Sequence, residues 1–154
     1  MTSPRRAIIV AHDVSEMRAA LAAAVRTGRA VRVQSAPGAA SYLGVAVFAA
    51  MCALARADHP AADAEFVLDC ADDPGFAVAA FRHGIGCVRL SASPAVLARV
   101  ADIARQQGCC LVEGDDPALD LSDAGEPLAA CLNWLAAAGE SPSLPGVVSQ
   151  FEIT

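Results

Sequence analysis

The sequence predicts an α/β protein with three layers, in which an open parallel sheet of five strands carries helices on both faces. Short apolar runs typical of buried strands alternate with longer stretches of helical periodicity. Three of the strands begin at regular 22-residue intervals, at Glu65, Cys87 and Cys109. A polar turn containing a proline follows each of them. Proline favours a helix start there, because its φ is already helical.

The first half of the chain is expected to hold two strands and two helices. Residues 7–11 form a continuous apolar run, as in a strand covered on both faces, and residues 15–27 form a helix that Gly28 ends. The second strand, residues 30–34, places Arg32 and Gln34 on one face, which indicates an edge position. A helix from Tyr42 to Ala55 follows, and it is apolar on all sides.

The second half is expected to add three strand–helix pairs. The strands are residues 66–69, 87–90 and 109–112, and the helices are residues 74–83, 94–107 and 127–138, with an acidic loop at 114–123. Residues 1–138 are therefore predicted to form a single α/β domain. Residues 139–154 are predicted to be an extended C-terminal tail that docks on the domain or on a neighbouring subunit, because their apolar and polar residues alternate.

Composition narrows the range of functions. The net charge is −6, which argues against a nucleic-acid partner, since phosphates need a basic surface. All eleven basic residues are Arg, so Schiff-base chemistry and a P-loop lysine are excluded. The longest apolar stretch is shorter than the roughly 20 residues of a membrane span, and no signal-peptide core follows the N-terminal arginines. We therefore expect a cytoplasmic protein with no membrane partner.

The cysteines are expected to be reduced thiols in the core rather than a disulfide framework or a zinc site. They fall on predicted strands and helices, and none are at the C-x-x-C spacing of common zinc or redox motifs. The six residues are Cys52, Cys70, Cys87, Cys109, Cys110 and Cys131.

Five alternating units predict the strand order 2-1-3-4-5, which is flavodoxin-like; a half-barrel completed by a second subunit is the alternative. In that order, ligands bind beyond the carboxyl ends of strands one and three. His12, Asp13, Asp69, Asp72 and Asp73 arrive there. Carboxylate oxygens suit Mg²⁺, with Asp13 and Asp69 as candidate ligands. The alternative is that aspartates at strand–helix junctions cap helices.

Two other features are candidates for binding. The small-residue loop that contains Ser35 and Gly38 precedes a helix, so its backbone N–H groups could meet a small anionic ligand. The apolar helix from Tyr42 to Ala55 is either fully buried or shared with a partner, and we expect it to form a homodimer interface.

The segments AIIVAHDVSEMRAALAAAVRTGRAVRVQSA and FVLDCADDPG resemble the first three strands of a response-regulator receiver domain. The resemblance implies that Asp69 is the phosphoacceptor, that Asp13 is a Mg²⁺ ligand, and that Ser91 is the hydroxyl residue that ends strand four. The family places a Lys after strand five, where this chain has Glu113, and His12 replaces half of its acidic pair. The resemblance therefore implies a degenerate receiver without phosphotransfer.

No nucleophile–base pair, metal-ligand spacing or complete cofactor fingerprint stands out in the sequence. We therefore expect a non-catalytic cytoplasmic α/β module, a homodimer without a cofactor, that acts by binding a protein or a small ligand. The alternative is a Mg²⁺-dependent enzyme or receiver-like phosphoacceptor that uses the acidic edge of the sheet.

Overall fold

The computed structural model describes residues 5–139, which contain six strands and six α-helices. The strands are β1 (Ala7–Val10), β2 (Val31–Gln34), β3 (Ala64–Asp69), β4 (Cys87–Arg89), β5 (Cys110–Leu111) and β6 (Ala118–Asp120). The helices are α1 (Val14–Thr27), α2 (Ala39–Tyr42), α3 (Val45–Asp58), α4 (Pro74–Arg82), α5 (Pro94–Gln106) and α6 (Pro127–Gly139). Gly139, predicted as the first residue of the tail, is the last residue of α6, and residues 140–154 of the predicted tail lie outside the described residues.

All strand pairs are parallel, and the order across the sheet is β5-β4-β3-β2-β1-β6. The open parallel α/β sheet is confirmed, but the predicted count of five strands and the order 2-1-3-4-5 are wrong. Strand β2 lies between β1 and β3, so the chain steps in one direction across the sheet from β1 to β5, and the connection to β6 then returns to the opposite edge. β2 is therefore not the edge strand that its alternating polar residues indicated. Arg32 of β2 pairs in register with Glu65 of β3 and forms an ion pair with it, which explains the polar residue at that position.

The helices pack on one side of the sheet, so the prediction of three layers with helices on both faces is wrong. The four helix-containing crossovers from β1 to β5 all step in the same direction, and right-handed crossovers of this kind place successive helices on the same side. Ile9, Val33, Leu68 and Val88 share one core cluster with buried residues of α1, α3, α4, α5 and α6. A sequential strand order with helices on one side also occurs in a section of an α/β barrel. A half-barrel completed by a second subunit stays a prediction.

The other side of the sheet, which we call the helix-free face, is covered in part by the chain itself. Residues 112–117, the crossing loop, connect β5 at one edge to β6 at the opposite edge. On a flat sheet these strands would lie about 24 Å apart, close to the full reach of so short a segment. The sheet must therefore curl. Arg89 of the helix-free face donates a hydrogen bond to the Gly114 carbonyl, with 2.6 Å between N and O.

The predicted helix from Tyr42 to Ala55 is two helices, α2 and α3, with Gly44 between them at a φ of +90°. That φ interrupts a helix and favours glycine. The inner side of α3 buries Phe48, Cys52 and Ala55, whereas its outer side is exposed. None of the helices in residues 5–139 has the length and apolar character needed to cross a membrane.

Candidate functional site

The carboxyl edge of the sheet carries the residues that the sequence proposed as a site. Three of them are joined directly. The Asp69 carboxylate accepts hydrogen bonds through Oδ1 from the backbone N–H groups of Gly38, at 3.0 Å, and Ala71, at 2.9 Å. The Ser35 hydroxyl accepts from the Asp69 backbone N–H at 2.9 Å. Asp69 and Ser35 are buried, so this network fixes the loop after β2 to the end of β3.

This network bears on the prediction of an anion site at the loop containing Ser35 and Gly38. The Gly38 N–H already donates a hydrogen bond to a carboxylate of the protein itself, that of Asp69. Helix α2 has only four residues, too few for an appreciable dipole at its N-terminus. The loop is therefore held by an internal anion, which explains its small residues without an external ligand.

The remaining candidates at this edge have separate local roles. Asp13 caps α1 by accepting from the Glu16 N–H, and Asp73 caps α4 by accepting from the Gly75 N–H. Asp13 thus acts as the helix cap that the sequence offered as the alternative, and at the start of α4 the cap is Asp73. Asp72 and Ser91 are exposed at the same edge. His12 reaches β6 instead, where its Nε2 lies 2.7 Å from Asp120 Oδ1.

The His12–Asp120 contact provides a pH-dependent prediction. The backbone N–H of Ser122, and to a smaller degree His12, hold the pKa of Asp120 below its ordinary 3.8. A lowered pKa adds stability that is present above pH 3.8 and is lost as the pH falls through the lower folded-state pKa. We expect Asp120→Asn to lose about 0.5 kcal/mol at pH 7, a small value because the pair is solvent-screened. Urea unfolding at a series of pH values should show that the difference in unfolding free energy between the wild type and Asp120→Asn vanishes at acidic pH. A difference that stays constant with pH would contradict this prediction.

A cavity of about 680 Å³ lies at the opposite, amino-terminal edge of the sheet, and its volume is typical of small-ligand sites. We call it the arginine cavity, because three arginines line it. It is bounded by the start of β1, the turn after α1, the end of the crossing loop and the last turns of α6. Its charged and hydrogen-bonding lining residues are Arg5, Arg6, Arg29, Asp63, Asp116 and Trp134.

The charges of the arginine cavity are only partly compensated. Arg5 forms an ion pair with Asp116 at 2.9 Å, and Arg6 forms one with Asp63 at 2.8 Å. Arg29 has no acidic side chain within 4.0 Å among residues 5–139. Within the same described residues, the buried Nε1 of Trp134 has no hydrogen-bond partner. A buried donor without an acceptor costs stability, so this pattern is expected where a ligand completes the site.

A second cluster lies on the helix-free face, where β3, β4 and β5 are neighbours. Cys87 and Cys110 pair directly in register and form a disulfide, so the prediction that all cysteines are reduced is wrong for these two. The sheet itself brings them together, since their Cα atoms lie 4.7 Å apart. Glu65 lies beside them: its carboxylate and the two sulfurs are within 4.8 Å of one another.

The other four cysteines are free. Burial raises the pKa of Cys52 to about 12 and that of Cys131 to about 11. Burial, with the nearby charges of Asp69 and Asp73, raises the pKa of Cys70 to about 12. These thiols stay protonated near neutral pH and are therefore poor nucleophiles and metal ligands.

Among residues 5–139, Glu65, Cys87 and Cys110 are the one group of three side chains with the spacing of metal ligands. Asp13 and Asp69 do not belong to such a group, and both already accept backbone hydrogen bonds. A Mg²⁺ site at the carboxyl edge therefore stays a prediction.

Sequence reasoning missed both clusters. The regular strand spacing, which aligns Cys87 with the Cys109–Cys110 pair on successive strands, could have indicated the disulfide. The arginines at positions 5, 6 and 29 flank the starts of β1 and β2, so they could have been placed together at the amino-terminal edge. Trp134 carries no sequence signal of its own, because it lies in an apolar helix.

A scan against protein-family models and a search of curated proteins found no match to this chain.

Proposed function

We propose that this protein is a non-catalytic α/β module that binds a small anionic ligand in the arginine cavity. The observation that carries the proposal is a cavity of ligand size lined by Arg29, which has no acidic partner among the described residues, and by Trp134, whose buried Nε1 has no hydrogen-bond partner among them. A guanidinium and an indole N–H are both donors, so together they favour a ligand that offers acceptors and negative charge.

The chemistry of the cavity favours a carboxylate or a phosphate group. Arginine presents a planar set of donors that matches either group with two parallel hydrogen bonds. The cavity-lining acids, Asp63 and Asp116, are engaged by Arg6 and Arg5, so they do not neutralise Arg29. The ligand is therefore expected at the Arg29 and Trp134 end of the cavity.

Thermal unfolding with added phosphate or succinate tests the proposal, with sodium chloride at matched ionic strength as the reference. A ligand that binds only the folded state stabilises it by about 2.7 kcal/mol at a hundred times its Kd. We expect one of the two anions to raise the melting temperature of the wild type and Arg29→Gln to reduce the rise clearly. Arg99→Gln, at an exposed position of α5, is the matched control. An equal rise in both variants would contradict the assignment.

We further propose that the protein is a homodimer through the outer side of α3. Val47 and Leu54 are half exposed there, at 50% and 52%, and the residues between them on that side include Ala50 and Ala53. Two copies of α3 related by a two-fold axis and running antiparallel would set Val47 against Leu54, with Ala50 near the axis. Alanines at the centre allow the two backbones to approach closely.

The dimer prediction is tested by Ala50→Arg. A charged side chain near the two-fold axis would meet its own copy, so we expect the variant to be a monomer with unchanged helix content. Light scattering after size-exclusion chromatography gives the mass, and Ala98→Arg, on the exposed side of α5, is the control. A wild-type monomer, or an Ala50→Arg dimer, would overturn this interface.

The second candidate function is a Mg²⁺-dependent enzyme or a receiver-like phosphoacceptor at the carboxyl edge. The favouring observation is that Asp69 is largely buried there and uses only Oδ1 in its two hydrogen bonds to backbone N–H groups. Its second oxygen is therefore left for a cation or a phosphoryl group. The Mg²⁺ experiment given in the Discussion separates this candidate from the first.

A further inference from the structure

We propose that Glu65, Cys87 and Cys110 form a binding site for Zn²⁺ that opens when the Cys87–Cys110 disulfide is reduced. The carboxylate oxygen and the two sulfurs lie within 4.8 Å of one another, although they come from three different strands. Their closeness is fixed by the sheet. β4 pairs with both β3 and β5, so the ligands are held by backbone hydrogen bonds rather than by a flexible loop.

The donor set fits zinc. Two thiolates and one carboxylate are ligands that Zn²⁺ accepts at about 2.3 Å and 2.0–2.2 Å, and three protein ligands leave a fourth tetrahedral position for water. Two sulfurs bound to one tetrahedral zinc are about 3.8 Å apart. Side-chain rotation after the disulfide opens is enough to reach that separation, because the strands already hold the Cα atoms 4.7 Å apart.

The surroundings favour an anionic ligand set. Arg32 holds one oxygen of Glu65 at 3.0 Å, and the other oxygen is 3.5 Å from Arg6. The carboxylate keeps free lone pairs for a metal, while Arg32 orients it as an outer-shell partner. Zinc with two thiolates and one carboxylate carries a net charge of −1, which the arginines balance. Val67 and Val112 pack beside the two cysteines on this face.

Opening the site requires two electrons and two protons. A dithiol reductant supplies them by exchange. Its thiolate attacks Cys110, the more exposed of the pair, which gives a mixed disulfide and releases Cys87 as a thiolate. The second thiol of the reductant then attacks the mixed disulfide, so the reductant leaves as its own disulfide and Cys110 is freed. Zn²⁺ then binds both sulfurs as thiolates, and the protons they carried are released.

Cobalt(II) titration of the full chain tests this site, because tetrahedral cobalt bound to thiolates gives intense charge-transfer absorption. The titration compares two samples. One is the oxidised protein, and the other has been reduced with a dithiol and desalted without oxygen. Free thiols are counted in both. We expect four thiols and no cobalt band before reduction, then six thiols and one cobalt per chain after it. Zinc should displace the cobalt and remove the band.

Variants separate ligation from a general effect of reduction. Glu65→Gln should weaken cobalt binding about 10-fold or more, and Cys110→Ser should abolish the two-thiolate band. Cys109→Ser should bind like the wild type, because Cys109 lies outside the group; circular dichroism confirms that each variant is folded. No band in the reduced wild type, or equal affinity in Glu65→Gln, would overturn the site. If the chain has six free thiols and binds cobalt before any reduction, the proposed redox control of the site would be overturned.

Discussion

Replacing Cys110 with serine is expected to lower the free energy of unfolding by about 3 kcal/mol, because it opens a covalent loop that spans 23 residues. The disulfide limits the conformations of the unfolded chain and fixes the two-residue edge strand β5 to β4. Urea unfolding under oxidising conditions measures the change.

Two controls isolate the disulfide from the loss of a cysteine as such. A reducing agent should destabilise the wild type by a similar amount and leave Cys110→Ser unaffected. Cys109→Ser removes the neighbouring free thiol and is expected to change the free energy of unfolding by less than about 1 kcal/mol. If reduction leaves the wild type unchanged, the disulfide does not contribute to stability and the prediction fails.

Asp69→Ala is expected to cost about 2–4 kcal/mol of unfolding free energy. The substitution leaves the N–H groups of Gly38 and Ala71 without the acceptor that joins the loop after β2 to the end of β3. Asp69→Asn keeps an oxygen in the same place and should cost less than about 1 kcal/mol. Chemical denaturation of both variants gives the comparison, and equal losses would show that the network is not what holds the loop.

The same variants test the Mg²⁺ candidate. Melting curves with and without millimolar Mg²⁺, at matched ionic strength, are compared for the wild type and Asp69→Asn. A Mg²⁺-dependent rise that Asp69→Asn abolishes would support the enzyme or phosphoacceptor function. No rise in either protein leaves Asp69 as a structural residue that anchors the loop.

The positions of most secondary-structure elements could be predicted from local sequence patterns, but their order in the sheet could not. Apolar runs, proline at helix starts and glycine at helix ends located most of the strands and helices of the described residues. Strand order could not be predicted from the polar residues of β2. Arg32 and Gln34 give β2 the same alternation whether it is an edge strand or, as found, lies beside a strand that carries polar residues such as Glu65 on the same face. β6 was missed because it has only three residues within an acidic segment.

The candidate site could be predicted only in part, for a physical reason. Asp69, Ser35 and Gly38 were identified from strand ends, and they do meet, but as an internal hydrogen-bond network. Arg29 and Trp134 lie more than a hundred residues apart in sequence and line the same cavity only because α6 packs beside α1. Such a juxtaposition depends on the order of the strands, which no local pattern encodes.

The fluorescence of Trp134 tests the central claim most directly, because it is the only tryptophan in the sequence and it lines the arginine cavity. Titration with phosphate and with succinate, against sodium chloride at equal ionic strength, should give a saturable change for one of the anions. Arg29→Gln should weaken that binding by about 10-fold, or 1.4 kcal/mol, and Arg99→Gln should not. A signal that does not saturate, or that is the same in Arg29→Gln, would contradict anion binding in this cavity.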